Sequence, residues 1–398
     1  IMDQRTNYFK RVKDLLGGDF YVDINQYAEQ DFADSLNFIQ NDVNRPNRIL
    51  KEGDRFGYDY DASIFRANLW TQGQWKFDKI DLFAAVELSQ SSYYRTGNVK
   101  NGLFQDNSFG ESEKQSFSNY SIKTGITYKI DGRNYLFVNA SSATRAPYFE
   151  NAFVSARTRN QLAPNLVNEK IISVEGGYLL RAPRTKGRLV GYFTQFSDQT
   201  NTVSFYHSDY RNFVNYTLTN VDKRHAGIEF AIDQNLGNGF SMTAVAAVGQ
   251  YYYTDRPLAT ITIDNTSQTL ADGEVVYAKN FYVGGTPQSA YTLGINYRAK
   301  KFWFVNLNFN YFDNIYLDFN PARRTAAAVD LVPEGSEQWN SILNQEKTQG
   351  QFTVDFFGGK SWKLNDKFKA IKRNTFLVLN AGVSNIGNNK NLITGGFE

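Results

Sequence analysis

The sequence predicts an all-β chain, an antiparallel transmembrane β-barrel with long loops at one end, on three observations. Aromatic residues make up 16% of its 398 residues, with 32 Phe, 25 Tyr and 5 Trp, a profile that favours strands. Apolar and polar residues alternate with a period of two through many segments. Those segments are joined alternately by short Gly/Asn/Asp connections and by long polar ones, the rhythm of an up-and-down barrel.

Composition narrows the class further. No stretch reaches 18 consecutive apolar residues and the mean hydropathy is −0.48, so a membrane-spanning helix is excluded on length. A barrel is not excluded, because its strands alternate lipid-facing with lumen-facing residues and average out polar. The chain has no cysteine, so neither a disulfide framework nor a cysteine-rich metal site organises it. A net charge of +3, from 43 basic and 40 acidic residues, gives no bulk reason to expect nucleic acid. The first ten residues lack a basic stretch followed by an apolar one, so a secretory signal is expected upstream or already removed.

Residues 1–52 read as an extracellular loop region with a short helix over 8–16, stopped by Gly17 and Gly18. Residues 53–398 read as barrel strands and loops. The clearest strand is 302–311, with Trp303, Val305, Leu307, Phe309 and Tyr311 on one face and Asn306, Asn308 and Asn310 on the other. The same period sets Tyr120, Ile122, Ile126, Tyr128 and Ile130 against Ser121, Lys123, Gly125, Thr127 and Lys129. It recurs at 227–233 and 291–298, and further candidates are 58–75, 80–95, 135–145, 168–181, 188–205, 240–254, 351–362 and 375–386. That makes about twelve strands.

The connections at 76–79, 131–134 and 236–239 carry the residues that tight hairpins need and are assigned to a periplasmic rim. Those at 96–117, 146–167, 256–282 and 317–350 are assigned to the extracellular side. Tyr58, Tyr60, Tyr93, Tyr94, Tyr251, Tyr252, Tyr253, Tyr311 and Phe312 are expected to form aromatic girdles at the membrane interface.

Several stretches carry a family likeness. NVDKRHAGIEFAID (220–233), GGTPQSAYTLGINYR (284–298), TFLVLNAGVSNIGNNKNLITGGFE (375–398) and LFVNASSATRAPYFEN (136–151) are the relevant ones. Together they resemble the C-terminal half of TonB-dependent outer-membrane receptors, particularly the Bacteroidetes type with very large surface loops. The resemblance implies a barrel of about twenty-two strands around an N-terminal plug. This chain would supply about half of it, with the plug, TonB box, early strands and last strand lying elsewhere. It further implies a Gram-negative outer-membrane location, contact with membrane lipid, the TonB energy-transducing complex as a partner through the missing N-terminal region, and a surface lipoprotein as a further partner of the Bacteroidetes type. The cargo would be a nutrient: a glycan, peptide, siderophore or vitamin. Two rivals are a non-transporting barrel serving as a scaffold in a larger outer-membrane complex, and a soluble all-β binding protein whose aromatic faces pack on a second sheet. A twelve-stranded barrel closed on itself is the rival to a partial barrel.

Enzyme chemistry is not expected: the chain shows no Gly-x-Ser-x-Gly elbow and no phosphate loop. His207 and His225 lack acidic partners at metal-ligand spacing, and neither Asp54, Asp59 and Asp61 nor Asp313 and Asp318 follow a calcium-loop pattern. No catalytic, cofactor-binding or metal residue is assigned. Inward charges Lys123, Lys129, Glu87, Glu175, Glu229, Asp233, Arg298 and Asp355 are read as ordinary polarity of a wet lumen. Recognition is expected at loop tips, with 206–215, 315–320 and 338–344 as candidate contacts that could equally pack on neighbouring loops.

Overall fold

The computed structural model describes residues 1–392 apart from 209, 267, 367 and 369–372. Its first strands are β1 (Met2–Arg11), β2 (Tyr21–Val22), β3 (Ile49–Leu50), β4 (Arg55–Lys76), β5 (Ile80–Gly97) and β6 (Gly110–Glu111). Next come β7 (Gln115–Lys129), β8 (Asn134–Arg145), β9 (Glu169–Arg181), β10 (Thr185–His207), β11 (Asn212–Gly237) and β12 (Phe240–Tyr253). The last are β13 (Leu258–Ile263), β14 (Thr269–Val275), β15 (Ser289–Arg298), β16 (Trp303–Asp313), β17 (Gln351–Lys363) and β18 (Phe376–Val383). Three short α-helices, α1 (Gln26–Phe32), α2 (Phe149–Ala152) and α3 (Glu337–Leu343), lie in the connections.

One antiparallel sheet runs β1-β4-β5-β7-β8-β9-β10-β11-β12-β15-β16-β17-β18, and the β13–β14 hairpin branches from β11. Neighbours in the sheet are neighbours in the chain, the order of an up-and-down barrel wall. Each of the twelve predicted strand segments falls on one strand of this path. Among the described residues β1 and β18 do not pair, so the sheet is not closed by that route, as a complete twelve-stranded barrel would require.

Residues 1–52 differ from their expected description. Residues 2–11 extend the sheet, with Tyr8 opposite Tyr60 and Gln4 opposite Ile64, so the helix expected over 8–16 is not formed. The one α-helix of this segment is α1, where the Asn25 side chain accepts from the Tyr27 and Ala28 amides. β1 was missed because its alternation is mostly polar on polar, and only pairing with β4 reveals it.

The register sorts residues onto two faces. Leu293 lies opposite Phe309, Ile295 opposite Leu307 and Tyr291 opposite Tyr311, while Asn296 lies opposite Asn306 and Thr292 opposite Asn310. The apolar set is exposed, with Leu69 at 77%, Leu88 at 60% and Ile228 at 58%. A second sheet covering this face, which a soluble sandwich requires, is absent among the described residues, where the remaining sheet is the two-stranded β2–β3 ribbon. No helix among them is long and apolar enough to cross a membrane.

The other face is polar and internally paired. Arg66 meets Glu87 at 2.8 Å and Lys129 meets Asp81 at 2.7 Å. Asn139 donates to Glu175 at 2.7 Å, and Asn310 links Thr292 to Asp355. Four of the predicted inward charges therefore hold wall residues, while Lys123, Asp233 and Arg298 line hollows on this face.

The tight connections 77–79, 130–133, 182–184, 238–239 and 299–302 sit at one end. Gly237, Asn238 and Gly239 take positive φ in succession to close the β11–β12 hairpin. The long connections 12–54, 98–114, 146–168, 254–288 and 314–350 share the opposite end.

Candidate recognition site at the loop end

The long loops are packed. One cluster joins Val214, Tyr216, Leu218 and Val221 of β11 to Tyr253, Ala259, Ile261, Val276 and Phe319. A second joins Tyr60 of β4, Tyr93 of β5 and Phe117 of β7 to Phe149, Ala152 and Phe153 around α2. Tyr60, Tyr93 and Tyr253, expected in a lipid-facing girdle, are instead buried at the centre of these clusters. Tyr251 also turns away from lipid and shares a hydroxyl hydrogen bond with Tyr192. Tyr311 does fit a girdle: it is exposed and stacks on Tyr291.

Three fully buried arginines tie the loops together, and nothing in their sequence context distinguished them. Arg95, at the top of β5, donates to the Ser108 carbonyl at 2.9 Å, the Ala156 carbonyl at 2.6 Å and the Asn160 side chain, with its guanidinium over Tyr60. Arg159 donates to Gln161 at 2.8 Å and Thr262 at 3.2 Å, lies 3.6 Å from Asp264, and stacks on Phe104. Burial lowers the Arg159 pKa, and the Asp264 charge offsets part of that. Arg324 donates to the Ile342 and Asn344 carbonyls at 2.8 and 2.9 Å, capping the C-terminal end of α3. A planar guanidinium holds five donors in a fixed fork, against three on a lysine ammonium, and can bridge several acceptors from different loops at once.

The sequence-based loop candidates separate. Ile315 and Phe319 are buried, so these two positions of 315–320 are packing rather than contact surface. Residues 338–344 form most of α3 and its cap. Residues 206–215 are the hairpin tip of β10 and β11, with 209 outside the described residues; Tyr206 and Tyr210 are exposed there. In the family-like GGTP run, Gly284 lies against Asp318, where a Cβ would fall 2.4 Å from a carboxylate oxygen. Burial raises the Asp318 pKa, while Lys223 and the Gly284 amide lower it. In the Arg-Ala-Pro run, Arg145 forms a 2.5 Å ion pair with Glu169 across the sheet. The last six residues of the 375–398 stretch lie outside the described residues.

Two of the carboxylates considered for calcium are committed elsewhere: Asp61 meets Arg5 at 2.7 Å and Asp59 meets Arg55 at 2.8 Å. His225 packs between Phe196 and Tyr251. Among the described residues no group of three His, Cys, Asp or Glu side chains is placed to hold a metal ion.

Between the loops lies a cavity of about 120 Å³. Its walls come from the end of β1 (Lys10), the start of β4 (Tyr58), α1 (Tyr27), the 146–168 connection (Arg157) and the tip of β11 (Asn212, Phe213). Asn265 closes it by donating to the Tyr27 carbonyl at 2.7 Å and Asp31 at 2.8 Å, across more than 230 residues of sequence. Arg157 also borders an adjoining hollow of about 360 Å³ beside α2. Together they offer amide, phenol and cationic groups to a polar solute entering from the loop end.

Comparison with known proteins places the chain. The family described as TonB dependent receptor-like, beta-barrel matches residues 2–386. Among solved structures, the siderophore receptor PiuA from Acinetobacter baumannii aligns over 88% of this chain and 42% of its own, with TM-score 0.58 and 12% identity. The copper transporter OprC aligns over 88% and 45%, with TM-score 0.54 and 14% identity. The ferric-catecholate import receptor Fiu from K12 E. coli aligns over 88% and 44%, with TM-score 0.53 and 13% identity. The chain spans less than half the length of these structures, and at such identity the likeness is one of fold. No curated protein sequence matches it. The family match runs through nearly every strand of the sheet, and the chain belongs to the TonB-dependent receptor-like β-barrels, a family of Gram-negative outer-membrane proteins.

Proposed function

We propose that the chain is barrel wall and outer loops of a receptor that imports a nutrient across the outer membrane, with energy supplied through TonB. The observation that carries this is the family match over residues 2–386, falling on a wall with an apolar outer face and a paired polar inner face. In this reading the long-loop end faces outward and meets the solute, and the plug and TonB-contacting segment belong to the rest of the protein. The size of the loops 12–54 and 314–350 supports the Bacteroidetes type. A surface lipoprotein covering the loop end is part of the same proposal, with the exposed Tyr206 and Tyr210 as its contact. The solute is one of the glycan, peptide, siderophore or vitamin class, and the amide-rich cavity favours a polar, hydroxylated one.

The test compares three isogenic strains: wild type, one lacking the gene for this protein, and one lacking TonB. Growth medium is followed by mass spectrometry for solutes that disappear. A solute depleted by wild type and spared equally by both deletions establishes energised import. If the gene deletion spares no solute but removes a co-extracted partner from the outer membrane, the protein is a scaffold instead.

A further inference from the structure

We infer that the loop-end cavity is an oxyanion subsite: it takes the carboxylate or phosphate group of an otherwise polar solute, between Lys10 and Arg157. The inference deepens the proposed import function by naming the chemistry that the receptor selects.

Three observations converge. First, Lys10 and Arg157 enter the cavity from different elements, and neither meets a carboxylate within 4.0 Å among the described residues. Their neighbours are aromatic: the Lys10 ammonium lies 5.5 Å from the Tyr58 ring centre, and the Arg157 guanidinium 5.7 Å from that of Phe213. Several other cations at this end are paired with carboxylates, as Arg5 is with Asp61, Arg48 with Asp23 and Arg145 with Glu169, while Arg95 and Arg324 are held by backbone carbonyls. Two unpaired cations facing one hollow repel each other unless an anion joins them.

Second, the carboxylate in the cavity wall is already neutralised. Asp264 accepts from Asn215 at 2.8 Å and faces the Arg159 guanidinium. It does not cancel Lys10 and Arg157. Glu150, beside Arg157 in the adjoining hollow, forms no ion pair among the described residues.

Third, the site contains a buried donor without an acceptor. Asn212 is 1% exposed, its Oδ1 accepts from the Phe213 amide, and its Nδ2 has no partner among the described residues. Buried donors are nearly always satisfied, and one left open in the wall of a cavity is explained by a ligand acceptor. An ammonium, a guanidinium and an amide N–H₂ around one hollow are all donors, a set complementary to an oxyanion. The ring of Tyr27 and the buried amides of Asn41 and Asn101 complete a surface suited to the uncharged part of such a molecule.

The test uses the full native receptor purified in detergent, at constant ionic strength set with chloride. Its thermal midpoint is measured against sodium glucuronate, inorganic phosphate and, as the neutral control, glucose. A ligand that binds only the folded state raises the midpoint with concentration. The expected result is a rise with glucuronate or phosphate, and none with glucose. The Lys10→Met/Arg157→Met pair should weaken that response at least about tenfold, the loss anticipated when charge-assisted contacts are removed. Asn212→Asp, which keeps the shape and adds a negative charge, should abolish it. A response to glucuronate alone identifies a carboxylate ligand, and a response to phosphate alone a phosphorylated one. No anion-specific rise in the wild type, or an equal rise in the double variant, overturns the inference.

Discussion

The wall of this molecule and its loop end are held together by opposite means. The wall presents its apolar residues outward and exposed, and its inward polar groups pair along the strands, as with Arg66 and Glu87. The loop end turns its aromatics inward, around Phe149 and Phe153 or Tyr253 and Phe319, and stitches loops together with buried Arg95, Arg159 and Arg324. The wall relies on surrounding lipid to cover its apolar face. The loop end carries its own core, so a recognition surface can be preorganised on it rather than assembled by the ligand.

Five substitutions break this comparison at different points. Phe153→Ala empties the middle of the α2 cluster, where the ring is 1% exposed. It should cost about 3–5 kcal/mol, read as protease sensitivity of the 146–168 connection while the strands stay resistant. Equal sensitivity of wall and loops would mean that the loop end has no separate core. On the wall, Ile122→Arg puts a charge mid-strand on the outer face and should cost about 2–4 kcal/mol, whereas Ser121→Arg, one residue earlier, should cost under about 1 kcal/mol. Refolding each variant into lipid vesicles gives both values, and similar costs would contradict the assignment of faces.

Arg95→Met leaves the Ser108 and Ala156 carbonyls without their donor. A loss of about 2–3 kcal/mol should appear as faster amide exchange in 98–114 and 146–168 alone. The smallest effect belongs to the tight turn 131–134. There the Asp131 carboxylate accepts from the Arg133 amide and from the Asn134 amide and side chain, which lowers its pKa. Because the folded value is depressed, its contribution is complete above the ordinary carboxylate range and disappears as pH falls through the folded value. Carboxyl NMR titration should place the midpoint below 3.8, and Asp131→Ala should remove the step at that midpoint from the protection of the Arg133 amide, leaving only the intrinsic pH dependence of exchange.

The two regions were unequally legible in the sequence. Twelve strands of the wall followed from a period of two, because each places one face in lipid and the other in water; Trp303 to Tyr311 shows it plainly. β1 escaped, since Met2 to Arg11 is polar on both faces and is a strand only by virtue of β4. The period marked just 227–233 of β11, which runs from Asn212 to Gly237. Its outer half follows the loop core, not lipid, and the register to β10 shifts around Gln199. Tyr60, Tyr93 and Tyr253 look identical to girdle tyrosines in sequence, and only neighbours far along the chain turn them inward. The buried arginines and Asn212 carried no local signal either, because the hydrogen bonds by which the arginines join other loops reach 13 to 103 residues along the chain, and the Asn212 Nδ2 has no partner among the described residues. Asn25 is a signal that the sequence reading passed over in placing a helix at 8–16: an N-cap residue, it stands directly before α1.

Sidedness is the most direct test of the receptor account. The chain contains no cysteine, so, with any cysteine in the rest of the protein replaced by serine, single cysteines can be placed at Leu331 in the 314–350 connection, where the side chain is 92% exposed, and at Asp78 in the tight turn between β4 and β5. In intact cells expressing the full protein, a membrane-impermeant maleimide should modify Leu331→Cys at once and Asp78→Cys only after the outer membrane is permeabilised. Labelling of Asp78→Cys in intact cells with protection of Leu331→Cys, or equal labelling of both, would contradict a receptor whose packed loops face the outside.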